Sequence, residues 1–454
     1  MVIERDQPRL ARVEAELTPT SEGRLLLTRN ASDSGIEGGW ARFLQDLEVR
    51  DAGGAPVAVE AIAEGVYGVG TAEPPLAVRY SMRLEHDRVD NSPGADELAW
   101  ARPEAVFWTG RALFLEGAPS GAIEVDFELP ETWRATTPWE VVAPGRSFRV
   151  ADLDALLDCG FIVGEHFEAR LGGPGDPIRI ALAGPNATSE SRLVVETVER
   201  YVGRFGELLG GPAKGRLLLV AADGAFWGGG VMGTTISMLL GGALDASTLP
   251  TLRFITVHEA FHLWNANFPY RGHEGTESLY WLSEGSASYY TLRAQLGAGD
   301  LDVETALSQL ADEVGKYLAS RGGLDMVTAG ATKLDHYDLI YSGGFVATLA
   351  IDVAIRTRSA DRHSLDDVLR SLHSGPGREV ALDVESFSAL VESTTGVAVN
   401  DLIDCCVRGT GELPLAELFT GLGLALTIDG DTIRVERDPA APAAAAARWS
   451  AWVL

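Results

Sequence analysis

Two histidines and the glutamate between them, in His258-Glu259-Ala260-Phe261-His262, have the spacing of a metal-binding helix. Residues four apart lie on one face of an α-helix, so His258 and His262 can hold one zinc ion while Glu259 faces a water bound to it. Glu284 lies further along the chain, and a second helix would bring its carboxylate back to complete a three-ligand site with one open position. This layout is typical of a catalytic zinc, one per chain. The alternative is a buried helix whose histidines are satisfied by backbone carbonyls.

These residue types support hydrolysis by water. Zinc held by His258, His262 and Glu284 would lower the pKa of a coordinated water towards neutrality. Glu259 would accept the proton of that water as a general base and pass it to the leaving amine. Attack on a carbonyl carbon makes a tetrahedral oxyanion, which needs a positioned hydrogen-bond donor. Tyr341 is the candidate donor, and the alternative for it is a tyrosine packed in the core.

A glycine-rich segment, residues 226–235, precedes this helix. It lacks the Lys-Ser or Lys-Thr ending of a phosphate-binding loop. We interpret it as the edge of a sheet, where a peptide substrate pairs through backbone hydrogen bonds with Gly229, Gly230 and Val231. Glycines there let the substrate backbone approach closely. A flexible surface turn is the alternative.

Three further polar residues lie near the motif. Asn265 is close to the end of the histidine-bearing helix and is predicted to orient a ligand by a hydrogen bond, with helix capping as the alternative. His273 and Glu274 lie between His262 and Glu284 and could compete as ligands. Because they belong to a Gly-containing stretch, we predict an exposed loop there and interpret His273 as a surface histidine.

The composition limits the class of protein. A net charge of −28 over 454 residues makes nucleic acid an unsuitable partner, because phosphate binding needs clustered cations. The polar N-terminus is unlike a signal peptide, and we predict no membrane span. Cys159 and the adjacent pair Cys405 and Cys406, interpreted as buried small hydrophobes, give no disulfide framework and favour a cytoplasmic setting. The sequence leaves the oligomeric state open.

The motifs resemble those of the glycyl aminopeptidase family of zinc peptidases, within the gluzincin group. The matching segments are His258-Glu259-x-x-His262-x-Trp264-Asn265, Trp281-x-x-Glu284-Gly285-x-x-Ser288-Tyr289-Tyr290, Tyr341 to Asp352, and Arg408 to Leu415. With the β-rich N-terminus included on pattern alone, the resemblance covers residues from about 10 to 425. It implies an N-terminal β-domain, a thermolysin-like catalytic domain, helical C-terminal segments and peptide or protein substrates.

Sequence pattern and resemblance together predict an α+β protein of several domains. Short apolar or alternating runs separated by Gly, Pro and Asp predict an antiparallel β-sandwich over residues 1–142. Residues 143–300 are predicted to form the thermolysin-like α/β zinc domain that the resemblance implies, and residues 301–424 a helical domain. Residues 425–454 are predicted to form a short hairpin followed by a loose, low-complexity tail.

Two departures from the family pattern bear on the substrate. Members of the group usually carry a Gly-Gly-x-Glu motif, whose acid binds the free amino group of the substrate, whereas Gly229-Gly230-Val231-Met232-Gly233 has no glutamate. The residues after Leu422 are too few for the PDZ domain that many relatives carry. The sequence therefore predicts a zinc metallopeptidase without an evident anchor for the substrate amino terminus. The alternatives are a zinc hydrolase of a non-peptide substrate and a non-catalytic peptide-binding scaffold, although an intact Glu259 argues against the scaffold.

Overall fold

The structure is a computed structural model. It describes residues 1–27, 36, 39–70, 73–85, 98–118, 121–172, 178–430 and 432–453. The contact pattern divides the chain into two compact units. The first unit contains residues 1–199 and 214–259, and the second contains residues 200–213 and 260–454.

The first unit is rich in strands. In chain order they are β1 (Val2–Ile3), β2 (Leu10–Leu17), β3 (Arg24–Leu26), β4 (Leu44–Arg50), β5 (Pro56–Val57), β6 (Glu60–Ala63), β7 (Val66–Gly68), β8 (Leu76–Arg83), β9 (Trp100–Ala101), β10 (Ala105–Thr109), β11 (Ile123–Asp126), β12 (Arg134–Thr136), β13 (Glu140–Ala143), β14 (Ser147–Val150), β15 (Gly160–Gly164), β16 (Phe167–Leu171), β17 (Ile178–Ala183), β18 (Leu217–Asp223), β19 (Gly228–Met232) and β20 (Thr235–Leu240). The second unit contains the hairpin of β21 (Leu424–Asp429) and β22 (Thr432–Arg437).

Strands β1 to β15 form four sheets with antiparallel pairing, as the alternating sequence pattern predicts. Their orders are β1-β2-β8-β4-β5, β3-β7-β6, β11-β14-β13 and β12-β15-β10-β9. In β8 the residues alternate between buried and exposed or half-buried positions, which is the pattern of a strand with one face on the core. Because β15 pairs with β10 and β12, the β-structure continues past residue 142. The domain boundary at that residue stays a prediction.

The remaining strands of the first unit form a mixed five-stranded sheet of order β16-β17-β18-β20-β19. The central pairs β17·β18 and β18·β20 are parallel, whereas β16 and β19 pair in the antiparallel direction. Within the described residues β19 lies at one end of this order, so the glycine-rich segment forms an edge strand.

Buried polar contacts join this mixed sheet to the β-rich part of the same unit. The guanidinium of Arg179, on β17, donates to the carbonyls of Thr137 at 2.6 Å and Trp139 at 3.1 Å. The hydroxyl of Thr235, on β20, accepts from the Gly160 amide at 3.1 Å and donates to the Gly160 carbonyl at 2.9 Å. Since a buried polar group without a partner costs free energy, these bonds fix the two parts in one arrangement.

Helices provide most of the second unit. In chain order the helices of the whole chain are α1 (Gly110–Leu113), α2 (Leu153–Leu157), α3 (Pro185–Ser189), α4 (Ser191–Leu209), α5 (Leu249–Asn265), α6 (Gly272–Ser278), α7 (Tyr280–Ala298), α8 (Val303–Ser320), α9 (Met326–Gly330), α10 (Gly344–Arg358), α11 (Leu365–Ser374), α12 (Val384–Thr395), α13 (Asn400–Cys406), α14 (Leu415–Gly421) and α15 (Ala443–Trp452). The predicted helical character of residues 301–424 is confirmed. The division between the units passes within α4 and α5.

A buried polar network connects three helices of the second unit. Arg293, on α7, is fully buried and donates from Nε to the carbonyl of Trp452 at 2.7 Å and from Nη1 to Asp366 at 2.8 Å. The hydroxyl of Tyr290 donates to the same carboxylate at 2.7 Å. Burial disfavours the charged form of Asp366, but the adjacent guanidinium outweighs it and lowers the pKa of this carboxyl to about 2. The charge of Arg293 is thereby paired inside the core.

Two expectations about the C-terminal part of the chain are wrong. The tail is not loose, because α15 forms there and buries Trp449 and Trp452. Cys405 is exposed, although its neighbour Cys406 is buried. The segment Leu339–Arg358 has the length and apolar composition of a membrane span, but it is almost entirely buried inside the protein, where it forms part of the core.

Candidate metal centre

Helix α5 brings the two histidines and the glutamate into the interior. An Asp245 turn precedes it, in which the Asp245 carboxylate accepts from the amides of Ser247 and Thr248. His258, Glu259 and His262 are each only 6% exposed, although they lie on a helix that begins at the surface. Such buried polar side chains need partners, and a shared metal ion is one way to supply them.

His258, His262 and Glu284 converge. The structure brings one ligand atom from each residue within 4.8 Å of the others, and all three residues are buried. His262 Nε2 and Glu284 Oε2 lie 3.2 Å apart. Two ligands at 2.0–2.2 Å from one tetrahedral zinc would be separated by about 3.4 Å. Two imidazole nitrogens and one carboxylate oxygen are also the donor set that zinc prefers, so the residues fit this ion.

Asn265 contacts the ring of His262 and two groups near Glu284. Its Oδ1 lies 2.8 Å from His262 Nδ1, while its Nδ2 donates to the carbonyl of Ser283 at 2.8 Å and to the hydroxyl of Ser286 at 3.2 Å. Because the amide nitrogen is committed to Ser283, the oxygen faces the histidine and accepts from Nδ1–H. In this tautomer Nε2 of His262 carries the lone pair, and it lies 3.2 Å from Glu284 Oε2.

Glu259 lies against the edge strand β19. A methyl group added at Gly229 would be 2.6 Å from Cγ of Glu259 and 2.9 Å from both Cδ and Oε1. The glycine therefore leaves the space that the carboxylate occupies. Val231, two residues further on, shares this face of the strand, while Gly230 faces the other side. The edge strand β19 therefore runs beside the side chain of Glu259.

Tyr341 lies in a π-helical turn, Leu339–Gly343, that leads into α10. π-Helical turns are rare in proteins overall, but those that occur are often found at functional sites. The half-buried ring of Tyr341 stacks on the exposed ring of Tyr337, with centroids 4.0 Å apart and planes 16° apart. The role of Tyr341 as an oxyanion donor stays a prediction.

His273 and Glu274 do not join the described ligand cluster. They lie on α6, which replaces the expected loop. The His273 side chain is 79% exposed and lies 3.0 Å from Glu277, one turn further along the helix. The interpretation of His273 as a surface histidine agrees with this position.

Sequence reasoning missed two features around Glu284. Lys333 Nζ lies 3.2 Å from Glu284 Oε1, and the only signal for it was the rarity of lysine in this chain, which has three. Gly285 and Gly344 lie where α7 meets α10, and a methyl group on either would collide with backbone of the other helix. These glycines allow the close helix approach that positions Glu284 relative to the turn carrying Tyr341.

Comparisons with known proteins agree with these features. A family model described as the Peptidase M61 N-terminal domain matches residues 37–165. A search of curated proteins finds no match. Among solved structures, an aminopeptidase N family protein from Idiomarina loihiensis has a TM-score of 0.77 at 18% identity and covers 94% of this chain and 78% of its own.

A second fold match is the M1 zinc metallopeptidase from Deinococcus radiodurans, with a TM-score of 0.56 at 15% identity, covering 91% of this chain and 93% of its own. A variant of that enzyme, bound to a Tyr-Ser-Ala substrate, matches equally well. At such identities the likeness shows the fold, namely a β-rich N-terminal part and a helical C-terminal part. Together with the family match, it supports the zinc metallopeptidase family that the motifs resemble.

Proposed function

We propose that this chain is a monozinc peptidase that hydrolyses peptide bonds with an activated water. The observation that carries the proposal is the convergence of His258, His262 and Glu284, whose ligand atoms lie within 4.8 Å of one another in the interior. The family match and the fold similarity support the peptidase class. The thermolysin-like character of the catalytic part, the sandwich arrangement of the N-terminal strands and a cytoplasmic location belong to the same proposal.

Zinc bound by these three residues would supply an activated water and polarise the carbonyl of the substrate. Glu259 accepts a proton from the attacking water and delivers it to the leaving amine. Tyr341 donates a hydrogen bond to the oxyanion that develops at the scissile carbon. Asn265 holds the His262 ring through Nδ1.

The substrate pairs with the free edge of β19, along Gly229, Gly230 and Val231. This placement is supported by the closeness of Gly229 to the carboxylate of Glu259, since a paired strand then passes the general base. The edge strand supplies no carboxylate for a substrate ammonium group, and a buried ammonium needs a counter-charge. We therefore expect cleavage that does not require a free amino terminus.

The test pairs metal analysis with peptide cleavage mapped by mass spectrometry. Wild type and Glu259→Gln are compared on one peptide set with free and with acetylated amino termini. We expect one zinc per chain in both proteins, and a loss of cleavage of at least about 100-fold in the variant, because the base is removed while the ligands remain. Glu207→Gln, the same change at an exposed glutamate on α4, is the matched control.

Each outcome has a distinct meaning. Cleavage of acetylated peptides supports the absence of an amino anchor, whereas strict dependence on a free amino terminus would contradict that part of the proposal. Full activity of Glu259→Gln would remove Glu259 from the mechanism. Zinc binding with no cleavage of any peptide would favour the non-peptide hydrolase or the peptide-binding scaffold.

A further inference from the structure

Lys333 contacts the carboxylate of Glu284 from a turn that follows α9. Its ammonium nitrogen lies 3.2 Å from Glu284 Oε1 and 4.5 Å from the ring centroid of Tyr280. Tyr280 and Glu284 are four residues apart on α7, so they lie one above the other on one face of the helix. The ammonium is therefore held over this face by a charge-assisted hydrogen bond and a cation–π contact. Its side chain is 26% exposed, against 8% for Glu284.

The two oxygens of Glu284 consequently have different partners. Oε1 faces the ammonium of Lys333, while Oε2 lies 3.2 Å from Nε2 of His262. Oε2 is thus the oxygen that lies against the histidine ligand. This asymmetry matters because a carboxylate can bind a metal through one oxygen or through both.

We propose that Lys333 is a positioning residue that restricts Glu284 to binding zinc through one oxygen, and so keeps one coordination position open. The inference rests on the metal centre under the proposed function. Three protein ligands plus one open position is the arrangement of a catalytic zinc, whereas a second oxygen from Glu284 would occupy that position.

The side-chain type at position 333 fits this role. An ammonium is a compact point charge that can engage a single oxygen, whereas a guanidinium presents a planar fork that binds both oxygens of a carboxylate. Arginine provides 34 of the 37 basic residues, yet the residue that contacts Glu284 is one of the three lysines. An arginine there would compete with the metal for Oε2.

The experiment uses the zinc-loaded full chain with Lys333→Met and Lys333→Arg. X-ray absorption at the zinc edge measures the number of atoms bound to zinc, and competition with a chromophoric chelator measures zinc affinity. For Lys333→Met we expect the first shell to rise from about four to about five ligands, because Oε1 is released to the metal. For Lys333→Arg we expect zinc affinity to fall about 10-fold or more, as for other changes in the groups that orient a ligand.

The matched controls are Lys316→Met and Lys316→Arg, since the Lys316 side chain is 52% exposed and its Nζ lies 3.7 Å from Glu313 on the same helix. Both should leave the first shell and the affinity as in wild type. A Lys333→Met protein with a wild-type first shell, together with a Lys333→Arg protein of wild-type affinity, overturns the inference while leaving the metal centre intact. A wild type that binds no zinc overturns both. Should Lys333→Met fail to fold, Lys333→Arg decides alone, because it retains the charge beside Glu284.

Discussion

Replacing Gly229 by alanine should disable the general base while leaving the zinc ligands and the fold in place. Gly229 lies within β19 and does not have a positive φ, so an alanine fits its backbone without strain. The effect of the substitution is therefore the steric contact between the added methyl group and the side chain of Glu259.

The size of the effect follows from the contact. The methyl carbon would lie 2.6 Å from Glu259 Cγ, whereas ordinary contacts begin at 3.4 Å, so the side chain must retreat by about 0.8 Å. A misplacement near 1 Å costs about 100-fold in rate, because the reacting groups must lie in a near-attack geometry. This factor corresponds to about 2.7 kcal/mol of transition-state stabilisation.

The assay compares kcat and KM for peptide cleavage, with zinc content and thermal unfolding measured on the same samples. Gly229→Ala should lower kcat about 100-fold and leave one zinc per chain. Gly203→Ala, on α4, is the control for the substitution itself, because a methyl group there meets nothing within 4 Å. In a Glu259→Gln background, Gly229→Ala should cause little further loss, since two changes that act through one group are not additive.

Two results would refute this reasoning. One is a Gly229→Ala protein with wild-type kcat, which would mean that the carboxylate tolerates the displacement or is not the base. The other is a full additional loss in the Glu259→Gln background, which would mean that the methyl group blocks the substrate strand and not Glu259.

Three further predictions concern the surroundings of the site. Asn265→Ala should weaken zinc binding by about 10- to 100-fold in chelator competition, because the His262 ring loses its orienting acceptor, and unchanged affinity would contradict this. Gly344→Ala should lower the free energy of unfolding by about 1–3 kcal/mol in urea titrations, because the methyl group collides with the Trp281 carbonyl across the helix contact, and a neutral result would mean that α10 shifts freely. Burial, helped by nearby positive charge, lowers the pKa of His166 to about 3, so the unfolded chain binds its proton first as the pH falls. Stability should therefore decrease from about pH 6.5 downwards, by about 2 kcal/mol between pH 7 and pH 5, and a His166→Gln protein with the same slope would exclude this group as the cause.

The local part of the site could be predicted from the sequence because helix geometry alone puts His258 and His262 on one face. For the glycine-rich run the sequence left an edge strand and a surface turn as alternatives, because glycine permits both, and the structure shows the strand. The contact of Lys333 with Glu284 could not be predicted from the sequence. Lys333 lies 49 residues from Glu284 in the chain, in a turn without periodicity, and its contact depends on how that turn packs.

The C-terminal tail shows how a composition can be misinterpreted. A run of alanines suggests low complexity, but alanine has the highest helix propensity, and Trp449 and Trp452 provide the apolar anchors that a short helix needs. The contact of Gly229 with Glu259, in contrast, could not be predicted from the composition or the local sequence. It depends on the packing of a helix on a sheet, which no single-sequence pattern encodes.

The partners of Arg293 determine when helix α7, which carries Glu284, can become ordered during folding. Arg293 follows Glu284 by nine residues on α7, whereas its partners Asp366 and Trp452 lie 73 and 159 residues further along the chain. During synthesis this guanidinium is made long before the groups that neutralise it, and distant contacts form only after the intervening chain has been ordered. Helix α7 can therefore pack with Arg293 buried, and position Glu284, only after most of the chain has been made. Pulse proteolysis of ribosome-bound chains of increasing length measures this order, and protection of α7 before Asp366 has emerged would contradict it.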